Sequence, residues 1–370
     1  MVVDVKEPVI IPGFKIAKEE VAVIDKRPAL SRKLIEDAHL GGAGNMAPVA
    51  VKLGLSTGVA GYIGRDYAGE YFKKTIESLG ADTSGIIETE WATDVSIIFR
   101  DESGKRQPIA FYENSGKYFD LTEEVKQRIL SLRPRLAHIG YSGMFEYGAD
   151  RNQGENMAVM VKWLQGIGCL VMVDTHTYFQ NPERYELLFP VLPLCDMFMC
   201  SCDEMNLMIK RFKNFTSNQT DFISQAFAFL EYLENIYLKE ASTPRIFAIT
   251  DLDFVAVKYY TPGRKTIMKK VDNYFRFIKP IDKVGAGDSF RVGFNVYLLK
   301  NLSSFEHGEL NLEEAVQMGN LAALLYMSGK GIDGFRNYCY DDLLNLIQKS
   351  SPDTLFTSIE DLYCSLEINR

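Results

Sequence analysis

Asp282-Lys283-Val284-Gly285-Ala286-Gly287-Asp288-Ser289-Phe290 is a turn of small residues that carries an acid and runs straight into an apolar, helix-like stretch. Two glycines flanking an alanine let the backbone turn tightly and bring consecutive N–H groups toward a ligand, and the helix start adds its positive end. Such a turn suits an anion. An aspartate beside an anion site is electrostatically out of place unless it works as a base, taking a proton from a hydroxyl that attacks phosphorus. The combination points to phosphoryl transfer to an alcohol. The plainer reading is an ordinary strand-to-helix turn with Asp288 as a first-turn acid favoured by the helix dipole, and Gly-Ala-Gly alone does not choose between the two.

The surroundings of this turn are those of an alternating α/β protein. Short β-branched or aromatic runs at 58–63, 95–100, 135–141, 170–174, 197–200 and 246–250 read as strands. Between most of them, 47–53, 67–79, 121–132, 156–165, 222–238 and 312–326 carry apolar residues at helical spacing. Alternation of this kind predicts a doubly wound, mostly parallel sheet flanked by helices. Two segments, approximately 5–40 and 91–118, break the rhythm, and Asp101-Glu102-Ser103-Gly104 reads as a hairpin turn. They are expected to form a small β lid. Without a linker or internal repeat, residues 1–370 are expected to form a single domain.

Composition narrows the function classes. The chain has 370 residues, 46% of them hydrophobic, which is ample for a large core. Its formal net charge of −8 argues against nucleic acid or an anionic membrane as the main partner, and the basic stretch from Lys258 to Lys270 reads as a solvated hairpin. Six cysteines, at 169, 195, 200, 202, 339 and 364, include no Cys-x-x-Cys pair and no histidine at metal spacing, so reduced thiols are expected. The most apolar run, 187–202, is interrupted by Pro190, Pro193 and Asp196, and the N-terminus carries no signal-like core. A cytoplasmic protein is the expectation.

A second glycine cluster, Gly41-Gly42-Ala43-Gly44-Asn45-Met46-Ala47, imitates a dinucleotide fingerprint. The fingerprint needs a buried strand before it and an acid closing the next strand, and neither is present. A P-loop is absent as well, because Gly116-Lys117 lacks both the upstream glycine and the following hydroxyl residue.

Taken together, the two clusters resemble the paired signatures of the PfkB/ribokinase family of sugar and nucleoside kinases. The first signature is matched at Gly41, Gly42, Asn45, Ala47, Gly54, Gly58, Gly64-Arg65-Asp66, Gly69 and Leu79-Gly80-Ala81. The second is matched at Asp282, Gly285, Ala286, Gly287, Asp288, Phe290 and Gly293, with Gly319-Asn320-x-Ala322-Ala323 further on. The resemblance is specific over roughly 40–81 and 282–331, and between them only the strand and helix rhythm fits.

That resemblance implies a ribokinase-like fold and transfer of the ATP γ-phosphate to a primary hydroxyl. Asp288 would take the hydroxyl proton, and the N–H groups of Gly285, Ala286 and Gly287 would stabilise the transferring phosphoryl group. Gly41, Gly42 and Asn45 would meet the substrate. Asp4 matches the aspartate that ends the family's first strand and grips the sugar; because the family carries most of a strand before that point, the chain is expected to start late. Thr250, Leu252 and Asn320 fall on the nucleotide side. Glu204 would order magnesium (Mg2+) through waters, and Asp282 opens a loop that in many relatives holds a monovalent cation, K+ here.

Three departures bear on activity. The family's Asn-x-x-Glu reads Ser201-Cys202-Asp203-Glu204, so serine replaces asparagine, a change that a water-mediated magnesium site tolerates. The plainer reading of Glu204 is a solvated acid at a helix start. The nucleotide-side Thr-x-Gly-x-x-Gly turn reads Thr250-Asp251-Leu252-Asp253-Phe254-Val255, and neither Leu252 nor Val255 takes a positive φ cheaply. The donor pocket is therefore expected to differ locally. Lys283 stands where a small or hydroxyl residue is usual, and its ammonium would partly replace the monovalent cation, so weak potassium activation is expected.

Fructokinase-like and ketodeoxygluconate-kinase-like members of that family often carry an arginine after an aromatic pair and an Asp-x-Asn-x-Arg segment. Here the stretches read Phe111-Tyr112-Glu113-Asn114 and Asp174-Thr175-His176-Thr177-Tyr178. Lacking both arginines, which suit bidentate recognition of carboxylate or phosphate, the chain favours a neutral sugar or a nucleoside. Phe14, Phe111, Tyr141 and Phe145 would wall a base or simply pack core and lid, and His138 and His176 read as structural. The competing reading is a catalytically weak regulatory subunit that binds a sugar or nucleotide. Exposed lid edges would further allow a homodimer through the lid.

Overall fold

The computed structural model describes residues 2–5, 21–24, 27–30, 37–100, 106–112, 114–176, 181–212, 214–217, 219, 221–277, 283–352 and 354–369. Asp282, Phe14, Glu113, Thr177 and Tyr178 lie outside them, as does the 101–104 turn.

The main sheet has six strands. β9 (Leu136–Ser142), β10 (Leu170–Thr175), β11 (Met197–Ser201) and β12 (Arg245–Thr250) run parallel, and β13 (Phe254–Tyr260) and β14 (Ile267–Asp272) close one edge antiparallel, in the order β14-β13-β12-β11-β10-β9. A further parallel pair joins β5 (Gly58–Gly64) to β6 (Asp82–Thr89). Each run expected to be a strand is one, to within two residues at either end. Alternate residues along the parallel strands enter two separate cores. Met172, Met197, Met199, Ile246 and Ala248 pack on one face, and Val171, Val173, Phe198, Cys200, Phe247 and Ile249 on the other. That two-residue period, with both sides buried, is what a doubly wound sheet requires.

One face is covered by α1 (Ala43–Lys52), α7 (Ala286–Lys300) and α9 (Leu312–Met327), and the other by α4 (Glu155–Gly166), α5 (Cys202–Met208) and α6 (Phe222–Leu233). α2 (Tyr67–Ser78) and α3 (Glu123–Leu132) pack around β5 and β6, and α8 (Leu302–Glu306) is a short turn after α7. α7 and α9 cross closely because both carry glycine at the crossing. A Cβ on Gly293 would lie 2.6 Å from the Met318 carbonyl and 2.9 Å from the Gly319 Cα. Two residues of the second signature are thus explained by packing alone.

The smaller sheet is built from β1 (Val2–Val5), β4 (Asp37–His39), β7 (Val95–Arg100) and β8 (Arg106–Tyr112), in the order β4-β1-β7-β8, with a separate hairpin of β2 (Val21–Ile24) and β3 (Arg27–Leu30). β4 and β7, with β8, fall in the segments that break the α/β rhythm, whereas β1 lies at the edge of the first of them. Asp4 lies on β1, opposite Asp37 on β4 and Ile98 on β7, so its strand belongs to this accessory sheet and not to the main one.

The basic stretch is a hairpin, β13–β14, but Lys258 within it is buried and pairs with Glu234. Lys269 pairs with Glu313 at 2.8 Å and Lys270 with Asp272 at 2.5 Å. The expected solvated patch is therefore largely neutralised. All six cysteines are free, four of them buried. Among the described residues no helix is long and apolar enough to cross a membrane.

Candidate active site

The carboxyl ends of β9, β10, β11 and β12 carry Tyr141, Asp174, Ser201 and Thr250 in turn, and the N-terminus of α7 faces them with Asp288. A crevice outside strand carboxyl ends is where open α/β sheets bind ligands.

Asp288 is the third residue of α7 and only 7% exposed. Each of its oxygens is held. Asn45 Nδ2 donates to Oδ2 at 2.8 Å, and the Tyr141 hydroxyl donates to Oδ1 at 2.7 Å. The Tyr326 hydroxyl donates to Asn45 Oδ1 at 2.8 Å, which fixes the amide so that its NH2 faces Asp288. Burial raises the Asp288 pKa above the usual carboxylate range and Asp174 adds to this, while Asn45, Arg291 and Tyr141 pull it back. Burial, with Asp288 and Asp174 nearby, pushes the Tyr141 hydroxyl well above its ordinary value, so it stays a donor.

Gly285 caps α7 with φ +80°. A Cβ there would lie 2.6 Å from Tyr326 Cε1 and 3.1 Å from Asn45 Nδ2. Glycine is thus required twice, for the left-handed backbone and for the space that lets the Tyr326–Asn45 arm reach Asp288. The first helical turn leaves N–H groups outside the i→i−4 ladder. Of the three expected to face phosphate, Ala286 N–H closes onto the Lys283 carbonyl at 3.3 Å, whereas Gly287 N–H has no partner among the described residues.

Arg291, one turn beyond Asp288, was not singled out by the sequence reading. It is 6% exposed, with Nε 3.3 Å from Asp174 Oδ2 and Nη2 3.4 Å from Glu204 Oε2. Burial lowers its pKa, but Asp174, Glu204 and Asp288 more than offset that, and it remains cationic. Asp174 is fully buried, and its Oδ2 also lies 3.0 Å from His138 Nε2. His176 packs edge-on to the Tyr141 ring with centroids 5.2 Å apart. Both histidines expected to be structural therefore border the site.

Glu204 is 5% exposed and not a solvated acid. It forms a reciprocal capping box with Ser201, accepting Ser201 N–H at 2.7 Å while Ser201 Oγ accepts Glu204 N–H at 3.2 Å. Serine in place of asparagine thus has a structural use as the N-cap of α5. No cluster of three or more His, Cys, Asp or Glu suited to a metal occurs among the described residues. Glu204 is thus a single buried carboxylate, a donor that magnesium carried in by nucleotide phosphates and waters would meet as an outer partner.

The nucleotide-side turn is a short β12–β13 hairpin. Asp251 N–H bonds the Phe254 carbonyl at 2.9 Å, and Asn273 Nδ2 donates to the Asp251 and Leu252 carbonyls at 3.2 and 2.8 Å. Neither Leu252 nor Val255 has a positive φ, and Leu252 is 81% exposed at the tip. The turn is thus rebuilt to a shape that needs no glycine. Thr250 Oγ1 reaches the Cys200 carbonyl at 3.4 Å, and Asn320 Nδ2 donates to the Phe275 carbonyl at 3.2 Å. Gly41 and Gly42 lie at the start of α1, where a Cβ on Gly42 would touch the Tyr141 ring at 3.7 Å. Asn45, expected to meet substrate, is 4% exposed and committed at both ends of its amide, to Asp288 and Tyr326.

A glycine-capped helix start, a buried carboxylate held by two donors and a doubly wound scaffold with an accessory sheet together make up a ribokinase-like fold with a candidate site at its strand ends. Residues 35–141 match the model of the pfkB family carbohydrate kinases. A 5-dehydro-2-deoxygluconokinase of Lacticaseibacillus casei is 22% identical over 313 residues, covering 83% of this chain and 86% of that one. The fold superposes on the Xylella fastidiosa fructokinase with bound ATP with a TM-score of 0.62 at 20% identity, covering 84% and 90% of the two chains. It also superposes on the Anopheles gambiae adenosine kinase with a TM-score of 0.60 at 15% identity, covering 80% and 81%. The chain thus matches the pfkB carbohydrate-kinase model over residues 35–141 and shares the fold of these kinases over most of its length.

Proposed function

We propose that the protein transfers the γ-phosphoryl group of ATP to a primary hydroxyl of a neutral sugar or a nucleoside. The observation that carries this reading is the buried Asp288 carboxylate, held on both oxygens by Asn45 and Tyr141, beside the Gly285–Gly287 turn. Each carboxylate oxygen keeps a further lone pair, and one of them takes the acceptor proton as the hydroxyl oxygen attacks phosphorus. The new P–O bond forms while the bond to the ADP oxygen breaks, and the α7 N-terminus offsets the charge on the transferring group. Magnesium, when bound with the nucleotide, would supply further charge neutralisation, with Glu204 placed to order its waters. Asn45 acts through Asp288, as a positioning residue.

Support for ATP comes from the ATP-bound fructokinase of the same fold. The acceptor class rests on the missing arginines near 111–114 and 174–178. Coupled ADP release with Mg-ATP across neutral sugars and nucleosides, with 5-dehydro-2-deoxygluconate included, tests it. Turnover with a neutral acceptor is expected; turnover with the acid alone would overturn the acceptor class, and silence across the panel would overturn the reading itself.

A further inference from the structure

Arg291 is a charged residue in the middle of α7, whose residues 288–298 are all buried. Its guanidinium points its three nitrogens in three directions. Nε faces Asp174 at the end of β10, and Nη2 faces Glu204 at the start of α5. Nη1 borders the anion turn itself, 3.1 Å from the point a Cβ on Gly287 would occupy. Among the described residues the buried Nε makes no hydrogen bond, its Asp174 contact being a longer ion pair. A 94% buried guanidinium with an unspent donor costs free energy unless its surroundings hold the charge. Around it Asp174, Glu204 and Asp288 give three carboxylates to one cation, so the two flanking acids serve to hold the guanidinium, and the loop side of it is left for a ligand.

We propose that Arg291 is a further catalytic residue of the phosphoryl-transfer centre, presenting Nη1 beside Gly287 to the oxygens of the transferring γ-phosphoryl group. This rests on the kinase reading above. Arg291 moves no proton: the acceptor proton goes to Asp288, and the guanidinium only stabilises the phosphoryl oxygens as one P–O bond forms and the other breaks. It also gives Gly287 a specific reason to be glycine, since a methyl there would press on Nη1.

The test is calorimetric binding of Mg-ATP and Mg-ADP to wild type, Arg291→Gln and Arg291→Lys, each first shown to be folded by its melting transition. ADP lacks the γ-phosphate, so the ratio of the two affinities reads that contact directly. In Arg291→Gln the preference for ATP is expected to fall roughly tenfold to a hundredfold, as for a lost charge-assisted hydrogen bond, with ADP affinity little changed. Arg291→Lys keeps the charge but loses the fork, and is expected to fall in between. An undiminished ratio in either folded variant overturns the role and leaves Arg291 a clamp between β10, α5 and α7. Wild type that binds neither nucleotide would instead sink the kinase reading, and this role with it.

Discussion

Removing the Tyr141 hydroxyl should move the acid limb of the reaction toward higher pH. The hydroxyl donates to Asp288 Oδ1 at 2.7 Å in a buried site, and it stabilises only the ionised carboxylate. A hydrogen bond to a charged group contributes about 1.5–3 kcal/mol, and 1.36 kcal/mol corresponds to one pKa unit. Tyr141→Phe should therefore raise the pH at which Asp288 ionises by roughly one to two units, with the lower figure applying where a water takes the vacated position. The sign follows from the base having to be ionised: a higher pKa means activity is lost at a higher pH as acid is added. The assay is kcat against pH with the acceptor found in the panel, wild type and variant side by side at equal Mg-ATP, so that titration of the nucleotide cancels. An acid limb in the same place for both proteins would refute the claim that Tyr141 tunes this carboxylate.

Other expectations follow from the same geometry. Burial raises the Asp288 pKa, so its charge costs folding stability above the carboxylate's unfolded pKa of about 3.9. Asp288→Asn should accordingly melt higher than wild type at pH 7, with the gap closing as pH falls below about 4; a variant that melts lower at pH 7 would contradict the burial argument. Gly285→Ala would need a left-handed alanine and would drive its methyl into Tyr326 and Asn45, so stability should fall by about 1 kcal/mol or more and turnover should fall further. Denaturant melts and kcat measure the two, and wild-type turnover in this variant would show that the Tyr326–Asn45 arm is dispensable. Because Lys283 sits beside the loop opened by Asp282, replacing sodium with potassium should change turnover little, and a large stimulation would show that the ammonium does not stand in for a monovalent cation.

The strands and helices were legible because each carries its period along the chain. The 197–200 and 246–250 runs are continuously apolar up to the terminal Thr250, as strands buried on both faces are, and they end at the site for the topological reason that parallel strands share one carboxyl edge. Asp288 and the Gly285–Gly287 turn were legible because a local backbone shape demands those residue types. The supporting polar network was not. Tyr141 lies 147 residues from Asp288 and Tyr326 lies 281 from Asn45, and no local pattern marks such partners. Tyr141 read as one ring of an aromatic wall or of core and lid packing, and neither reading pointed to its hydroxyl, which donates to Asp288. Arg291 did leave a signal, a charge three residues after Asp288 on the same face of an otherwise apolar helix. The absence of glycines after Thr250 is matched by a turn with no positive φ at Leu252 or Val255, but nothing local foretold that Asn273 would brace it from β14's end.

The central claim is that Asp288 is the base, and the direct measurement is turnover of Asp288→Asn on the acceptor identified for wild type, with Mg-ATP binding followed calorimetrically on the same samples. Asparagine keeps the shape and still meets Asn45 and Tyr141, but it cannot take the proton. The account predicts nucleotide binding close to wild type with turnover reduced by at least about 100-fold, the lower range for general-base catalysis. A variant that binds ATP and phosphorylates at a near-normal rate would contradict it.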